Sequence, residues 1–248
     1  MNKLMIFLSF LAVVCSVSAQ SSVEQANKAY SEADYAQAEQ LYKEAIEQEG
    51  ESAEVYYNLG NTCYRLNKTA SSILYYERAL LLDPGNQDIR FNLEMARLKT
   101  VDKIEPVGEF FLTKWFGSLR DVYGISQWSR TAVITFLLFI ACLYLFFFSR
   151  KITLKKTGFF AGLAFILICL FANIFAFQQK KRLMERSTAI IFAPTTTIKS
   201  SPDTSGTDLF ILHEGTKVEI KNQLGEWNEI ETAGGDVGWI KSNEIEII

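Results

Sequence analysis

The sequence predicts a multidomain membrane protein built from an all-α solenoid, a two-helix transmembrane hairpin and a small all-β barrel. Three observations carry this. A helical pattern recurs with a period of 34 residues, two uncharged apolar runs flank a short basic stretch, and a series of short β-type segments is punctuated by glycine and proline. Of 248 residues, 49% are apolar and 21% charged, and the charge is segregated. Residues 20–108 carry 15 acidic and 9 basic side chains, residues 109–186 carry 3 and 11, and residues 187–248 carry 10 and 4. Acidic ends around a basic, apolar middle suit soluble domains flanking a membrane anchor, and they make nucleic acid a poor partner. The single histidine, His213, disfavours zinc or triad chemistry. No cofactor or metal is expected, and His213 is given no role.

Taken in order, residues 1–19 read as a signal peptide: Lys3, an apolar run, then the small residues Val17 and Ala19 before the expected cleavage point. An uncleaved anchor is the alternative. Cys15 belongs to this segment, and Cys142 and Cys169 lie in the apolar runs. Cys63 is therefore the sole cysteine of the exported part, where no disulfide framework can form and a buried small hydrophobe is expected.

In residues 20–100, the stretch 34–46 matches 68–80 at an offset of 34, with Tyr42 falling on Tyr76 and Ala45 on Ala79. The second unit contains Tyr56, Leu59, Gly60, Tyr64, Leu66, Ser72, Tyr76, Ala79, Asp83 and Pro84. Small Gly60, Ser72 and Ala79 let two helices approach, Leu59 and Tyr76 fill the remaining space, and Pro84 cannot continue a helix. These residues resemble the tetratricopeptide repeat. The first unit is degenerate, with Ala26 in place of glycine, and a half repeat over 87–99 caps the stack. The resemblance implies a groove for segments of other proteins, lined by Asn27, Tyr30, Tyr57, Asn61, Tyr64, Arg65 and Phe91. The competing expectation is that Tyr64 and Phe91 are partly core and that Asn61 only ties helices together.

Residues 101–125 form a linker. Phe111, Leu112, Trp115, Phe116, Leu119, Val122 and Tyr123 recur at helical steps there, predicting an amphipathic helix lying in the membrane interface or, alternatively, against the repeats. The hairpin over 126–178 has spans at 131–148 and 158–177, each long enough to cross a bilayer, with Ser126 as the expected helix cap. The link 149–157 holds Arg150, Lys151, Lys155 and Lys156 and no acid. So basic a short loop predicts a two-pass protein of the inner (cytoplasmic) membrane with both soluble domains in the periplasm. Gly158 and Gly162 form a possible helix-association surface. Neither span contains an acid, lysine or histidine, so proton relays and ion coupling are unsupported.

Residues 187–248 alternate in the manner of short strands, as in 217–221, where Val218 and Ile220 interleave with charged residues. Ser200-Ser201-Pro202, Leu209, Glu214-Gly215-Thr216-Lys217-Val218, Trp227, Ile230 and Gly238-Trp239-Ile240 resemble the bacterial Src homology 3-like domain. That resemblance implies a barrel with Trp227 and Ile240 mostly in its core. It also makes Phe210, Trp227 and Trp239 candidates for gripping cell-wall peptides or Pro-containing segments. As a whole, the order of elements resembles the BatE-like family of the Bat aerotolerance operon, which implies a membrane scaffold working with von Willebrand A-type Bat proteins and a MoxR-type ATPase. G-x-S-x-G, Walker and H-E-x-x-H motifs are absent from the sequence. A non-enzymatic adaptor is expected, and its rival is a cell-envelope receptor or sensor that binds peptidoglycan through the β domain.

Overall fold

The computed structural model describes residues 22–108 and 110–248. The expected signal peptide, with Cys15, lies outside these residues. Five helices come first: α1 (Ser22–Ser31), α2 (Tyr35–Glu49), α3 (Ala53–Arg65), α4 (Thr69–Leu82) and α5 (Gln87–Arg97). Two have capped starts. The Asp34 carboxylate accepts from the Gln37 amide at 3.1 Å, and the Asn86 side chain accepts from Asp88 N and Ile89 N, satisfying amides that the helix itself leaves orphaned. Ala26, Ala38, Tyr42, Leu59 and Cys63 bury one core, and Tyr56, Ile73, Leu74, Tyr76, Ala79, Ile89 and Leu93 a second. The Cys63 thiol is inert here, because burial pushes its pKa up to about 12.

Packing of the second hairpin turns on volume. A Cβ on Gly60 would stand 2.6 Å from the Tyr76 ring, so only glycine lets α3 and α4 approach this closely. Buried Ser72 donates its hydroxyl to Gly60 O at 3.0 Å, and Leu59 and Ala79 are fully buried. Pro84, just beyond α4, accepts at its carbonyl from Arg90 at 2.6 Å.

The apolar middle forms α6 (Phe111–Arg120), α7 (Ile125–Phe148) and α8 (Ile152–Glu185), and the last two are long and apolar enough to cross a membrane. Two expectations are corrected here. Helix α7 starts after Gly124, whose amide donates to Gln127 Oε1 at 3.1 Å, so Ser126 lies within the helix rather than capping it. The link between the helices is residues 149–151, because Lys155 and Lys156 belong to the first turns of α8. At about 1.5 Å rise per residue, the 34-residue α8 is roughly 51 Å long, longer than a ~30 Å hydrocarbon layer. A Cβ on Gly158 would meet Cys142 O at 2.8 Å, and one on Gly162 would meet Cys142 Cβ at 3.3 Å. The small-residue face thus closes the hairpin within this chain.

Seven strands follow: β1 (Thr188–Ile191), β2 (Thr195–Lys199), β3 (Asp208–His213), β4 (Lys217–Leu224), β5 (Trp227–Thr232), β6 (Val237–Lys241) and β7 (Ile245–Ile247). They form one antiparallel sheet in the order β3-β2-β6-β5-β4-β1-β7. No ladder joins β3 to β7 among the described residues, so the sheet is open where the sequence predicts a closed barrel. Its weakest seam is the single register pair Lys199↔Trp239 between β2 and β6.

Strand β1 links the two halves. Its side chains alternate, so Ala189 and Ile191 enter the sheet core with Ile198, Val218, Ile230 and Ile240. Ile190 points the other way and, with Ile248, completes the helical core around Ile73, Leu74 and Ala79. The repeats and the sheet are not independently packed bodies.

Candidate functional site

On the side of the stack formed by α1, α3 and α5 lies a cleft of about 340 Å³ lined by Tyr30, Asn61, Tyr64, Arg65, Tyr76, Asn92 and Met95. Four of the seven groove residues expected from the sequence meet here. The helical period explains which do so: Asn61, Tyr64 and Arg65 recur at three- and four-residue steps on α3, and Tyr30 projects from the matching face of α1. Asn27, Tyr57 and Phe91 do not line the cleft; the Tyr57 hydroxyl accepts from the lining residue Asn92, and Phe91 is 66% exposed.

Two asparagines tie the helices together by the same bonds, repeated. Asn27 Oδ1 accepts from the Tyr42 hydroxyl at 2.6 Å and from Asn58 Nδ2 at 3.4 Å. Asn61 Oδ1 accepts from the Tyr76 hydroxyl at 2.7 Å and from Asn92 Nδ2 at 2.8 Å. Asn92 Nδ2 also donates to the Tyr57 hydroxyl at 3.0 Å. Asn61 therefore ties α3 to α4 and α5 while lining the cleft. The groove expected from the sequence omits Tyr76 and Asn92, although Asn92 stands 34 residues after Asn58, as Tyr76 does after Tyr42. Burial pushes the Tyr42 phenol up to about 12, so this hydroxyl stays a donor throughout the physiological range.

Electrostatically, the cleft wall is cationic. Exposed Arg65 lines it together with Tyr30, and the Lys99 ammonium sits 3.6 Å from the centroid of the Tyr64 ring, a close cation–π contact. Tyr64 is partly buried against the core, as the competing expectation held, whereas Phe91 is not.

The opposite side of the stack is covered by the sheet, through three polar ties. Buried Glu77 on α4 accepts from Arg97 on α5 and from Lys217 on β4, the latter at 2.7 Å. Burial raises the Glu77 carboxyl, but the two cations outweigh it and hold the group below the ordinary carboxylate value. Asp102 on the linker accepts from His213 N at 2.7 Å and Thr216 Oγ1 at 2.7 Å, and pairs with His213 Nδ1 at 2.8 Å. Burial again opposes ionisation, and the Thr216 and His213 hydrogen bonds bring the carboxyl below its usual range. His213 thus closes β3 onto the linker, a tie across 111 residues that local pattern does not reveal. Arg78 donates to Ile247 O at 2.5 Å and pairs with Glu246 at 3.2 Å.

On the sheet, the three aromatic candidates divide between faces. Phe210 is partly buried against the sheet core. Trp227 and Trp239 are half-buried on the other face, since in β5 it is Asn228, Ile230 and Thr232 that are buried. Trp227 is thus outside the core where the family pattern placed it, and Ile240 is inside, as expected. Trp227 pairs in register with Lys241, whose ammonium lies 5.8 Å from the indole centroid, and Trp239 pairs with Glu229. The two tryptophans form one surface, and Phe210 is not part of it.

Helix α6 buries no residue. Phe110, Phe111, Trp115 and Phe116 are exposed, and Phe116 meets Phe171 and Phe175 of α8 with ring centroids 6.4 Å apart. Gln179 Nε2 on α8 donates to the carbonyls of Arg120 and Tyr123 at 2.8 and 2.6 Å, and Trp128 Nε1 donates to Arg120 O at 2.8 Å. Helix α6 leans on the apolar hairpin rather than on the repeats.

The tetratricopeptide repeat family model matches residues 53–86, which span α3 and α4. No curated protein matches the chain. The chain accordingly carries a tetratricopeptide repeat within a helical region, two apolar helices and an antiparallel sheet.

Proposed function

We propose that this chain is a non-enzymatic, membrane-anchored adaptor whose repeat groove holds a segment of another membrane protein, assembling a Bat-type aerotolerance or stress complex. The partners by resemblance are von Willebrand A-type Bat proteins and a MoxR-type ATPase. One observation carries this reading: the sheet covers one side of the stack and leaves the cationic, aromatic cleft open on the other. The repeat fold is typical of protein–protein scaffolds. The hairpin crosses the inner membrane twice with the basic link in the cytoplasm, placing the helical part and the Src homology 3-like domain in the periplasm. The shared core of Ile190, Ile248, Ile73 and Leu74 supports a common side for both, since residues in contact cannot be separated by a bilayer. Helix α6 then rests in the outer interface with its aromatics in lipid.

The alternative is an envelope receptor or sensor whose sheet binds peptidoglycan, and it is favoured by the paired surface of Trp227 and Trp239. The discriminating experiment fills one site at a time. Met95→Trp obstructs the cleft, and Trp227→Ser with Trp239→Ser strips the sheet. Loss of the Bat-type partners from detergent-purified Met95→Trp protein supports the adaptor. Retention of every partner, together with peptidoglycan sedimentation that depends on the two tryptophans, overturns it in favour of the receptor.

A further inference from the structure

The 34-residue period superposes Tyr57, Asn61 and Tyr64 on Phe91, Met95 and Leu98. The groove therefore changes chemistry along its length. Where α3 presents phenols and an amide, α5 with its C-cap residue Leu98 presents three apolar side chains at i, i+4 and i+7, which share one helix face. They are 66%, 40% and 69% exposed. Met95 occupies the position at which Asn27 and Asn61 accept their pairs of hydrogen bonds, so the asparagine series stops here and a thioether enters the cleft. Three large apolar groups left in water on one face of a rigid helix mark an interaction surface.

Charge supplies the second half of the argument. Residues 20–108 carry 15 acids against 9 bases, yet among the described residues no acidic side chain lines the cleft, whereas Arg65 does. Lys99, 34 residues after Arg65 in the same register, lies over the Tyr64 ring. A cationic strip in an otherwise acidic domain selects an anionic ligand and disfavours the domain's own surface.

We infer that the groove takes a protein segment of mixed chemistry in one direction, with an acidic side chain against Arg65 and Lys99 and bulky apolar side chains against Phe91, Met95 and Leu98. This rests on the adaptor reading and specifies its ligand. Concavity favours a peptide over a lipid surface, because a bilayer cannot follow a cleft of about 340 Å³.

The test uses the full chain in lipid nanodiscs and three short fluorescent peptides: one joining glutamates to a Leu/Phe run, one with lysines for the glutamates, and one with serines for the Leu/Phe run. Fluorescence anisotropy is expected to rank the first peptide tightest, with each of the others at least about tenfold weaker, the scale of a single hot spot. Phe91→Ser with Leu98→Ser should bring the first peptide down to the level of the serine peptide, and Arg65→Glu should invert the preference between glutamate and lysine. All three side chains are exposed, so the fold is spared.

Equal binding of the three peptides, or binding indifferent to both variants, overturns the inference. If it fails while Met95→Trp still releases the Bat-type partners, the adaptor reading stands and only the ligand chemistry is wrong. If Met95→Trp also leaves the partners bound, the adaptor reading itself falls. Absence of peptide binding, with Phe91→Ser dissociating a dimer by mass photometry, would assign the stripe to self-association and sink the proposal.

Discussion

Glu77 and Lys217, 140 residues apart in the chain, meet at 2.7 Å where the repeat stack rests on the sheet. The carboxylate is buried and faces Arg97 as well. Removing it by Glu77→Ala leaves two cations with diminished compensation. Because Arg97 and Lys217 keep 39% and 37% of their side-chain exposure, water offsets part of the loss, and a destabilisation of about 1–3 kcal/mol is expected rather than the larger figure for a fully buried pair. Thermal unfolding of the purified variant measures it, and a change below about 0.5 kcal/mol would contradict the tie.

The same contact sets an acid limit. The carboxyls of Glu77 and Asp102 are both held below their ordinary values in the folded protein. Such groups contribute stability that is present above the unfolded-state value and lost as pH falls through the folded one. The junction between helices and sheet should therefore loosen below the ordinary carboxylate range, seen as protease cleavage in the 101–108 linker before the helices melt. Glu77→Gln should flatten this dependence. An unchanged acid profile in that variant would show that other groups set it.

Asn61 and Arg65 line the same cleft but should respond in opposite ways. Asn61→Ala leaves the Tyr76 hydroxyl and the Asn92 amide without their shared acceptor, costing about 1–3 kcal/mol of stability. Arg65→Ala, exposed and uninvolved in the core, should change stability by less than about 0.5 kcal/mol while weakening partner binding. Chemical denaturation compares the two, and equal destabilisation would show that Arg65 is structural as well.

Gly60→Ala places a methyl group 2.6 Å from the Tyr76 ring. The backbone must yield, and overpacking of this kind costs about 1–3 kcal/mol. Wild-type melting in that variant would mean that α3 and α4 do not meet there.

Removing residues 188–248 should damage the repeats as well as the sheet. Ile190 and Ile248 are fully buried among Ile73, Leu74 and Ala79, so truncation uncovers the second helical core. A truncated chain with native helical protease resistance would argue against the shared core.

Features that depend on spacing were legible in the chain before it folds. Period 34 specifies the hairpins, uninterrupted apolarity the two long helices, and alternation the strands, because each pattern is imposed by the local backbone geometry of the element that carries it. That small Gly60, Ser72 and Ala79 lie at a helix contact, and that Tyr30, Asn61, Tyr64 and Arg65 share one cleft, was legible for the same reason. What required the tertiary structure were contacts between segments far apart in the chain. That Ile190 belongs to the helices while Ala189 and Ile191 belong to the sheet follows from which surface stands on each side of β1. The pairing of His213 with Asp102 and of Gln179 with the end of α6, and the exclusion of Trp227 from the core, were decided in the same way. Whether a side chain is core, tie or open surface depends on what lies opposite it, and a linear pattern holds no information about the opposite side until the chain has folded.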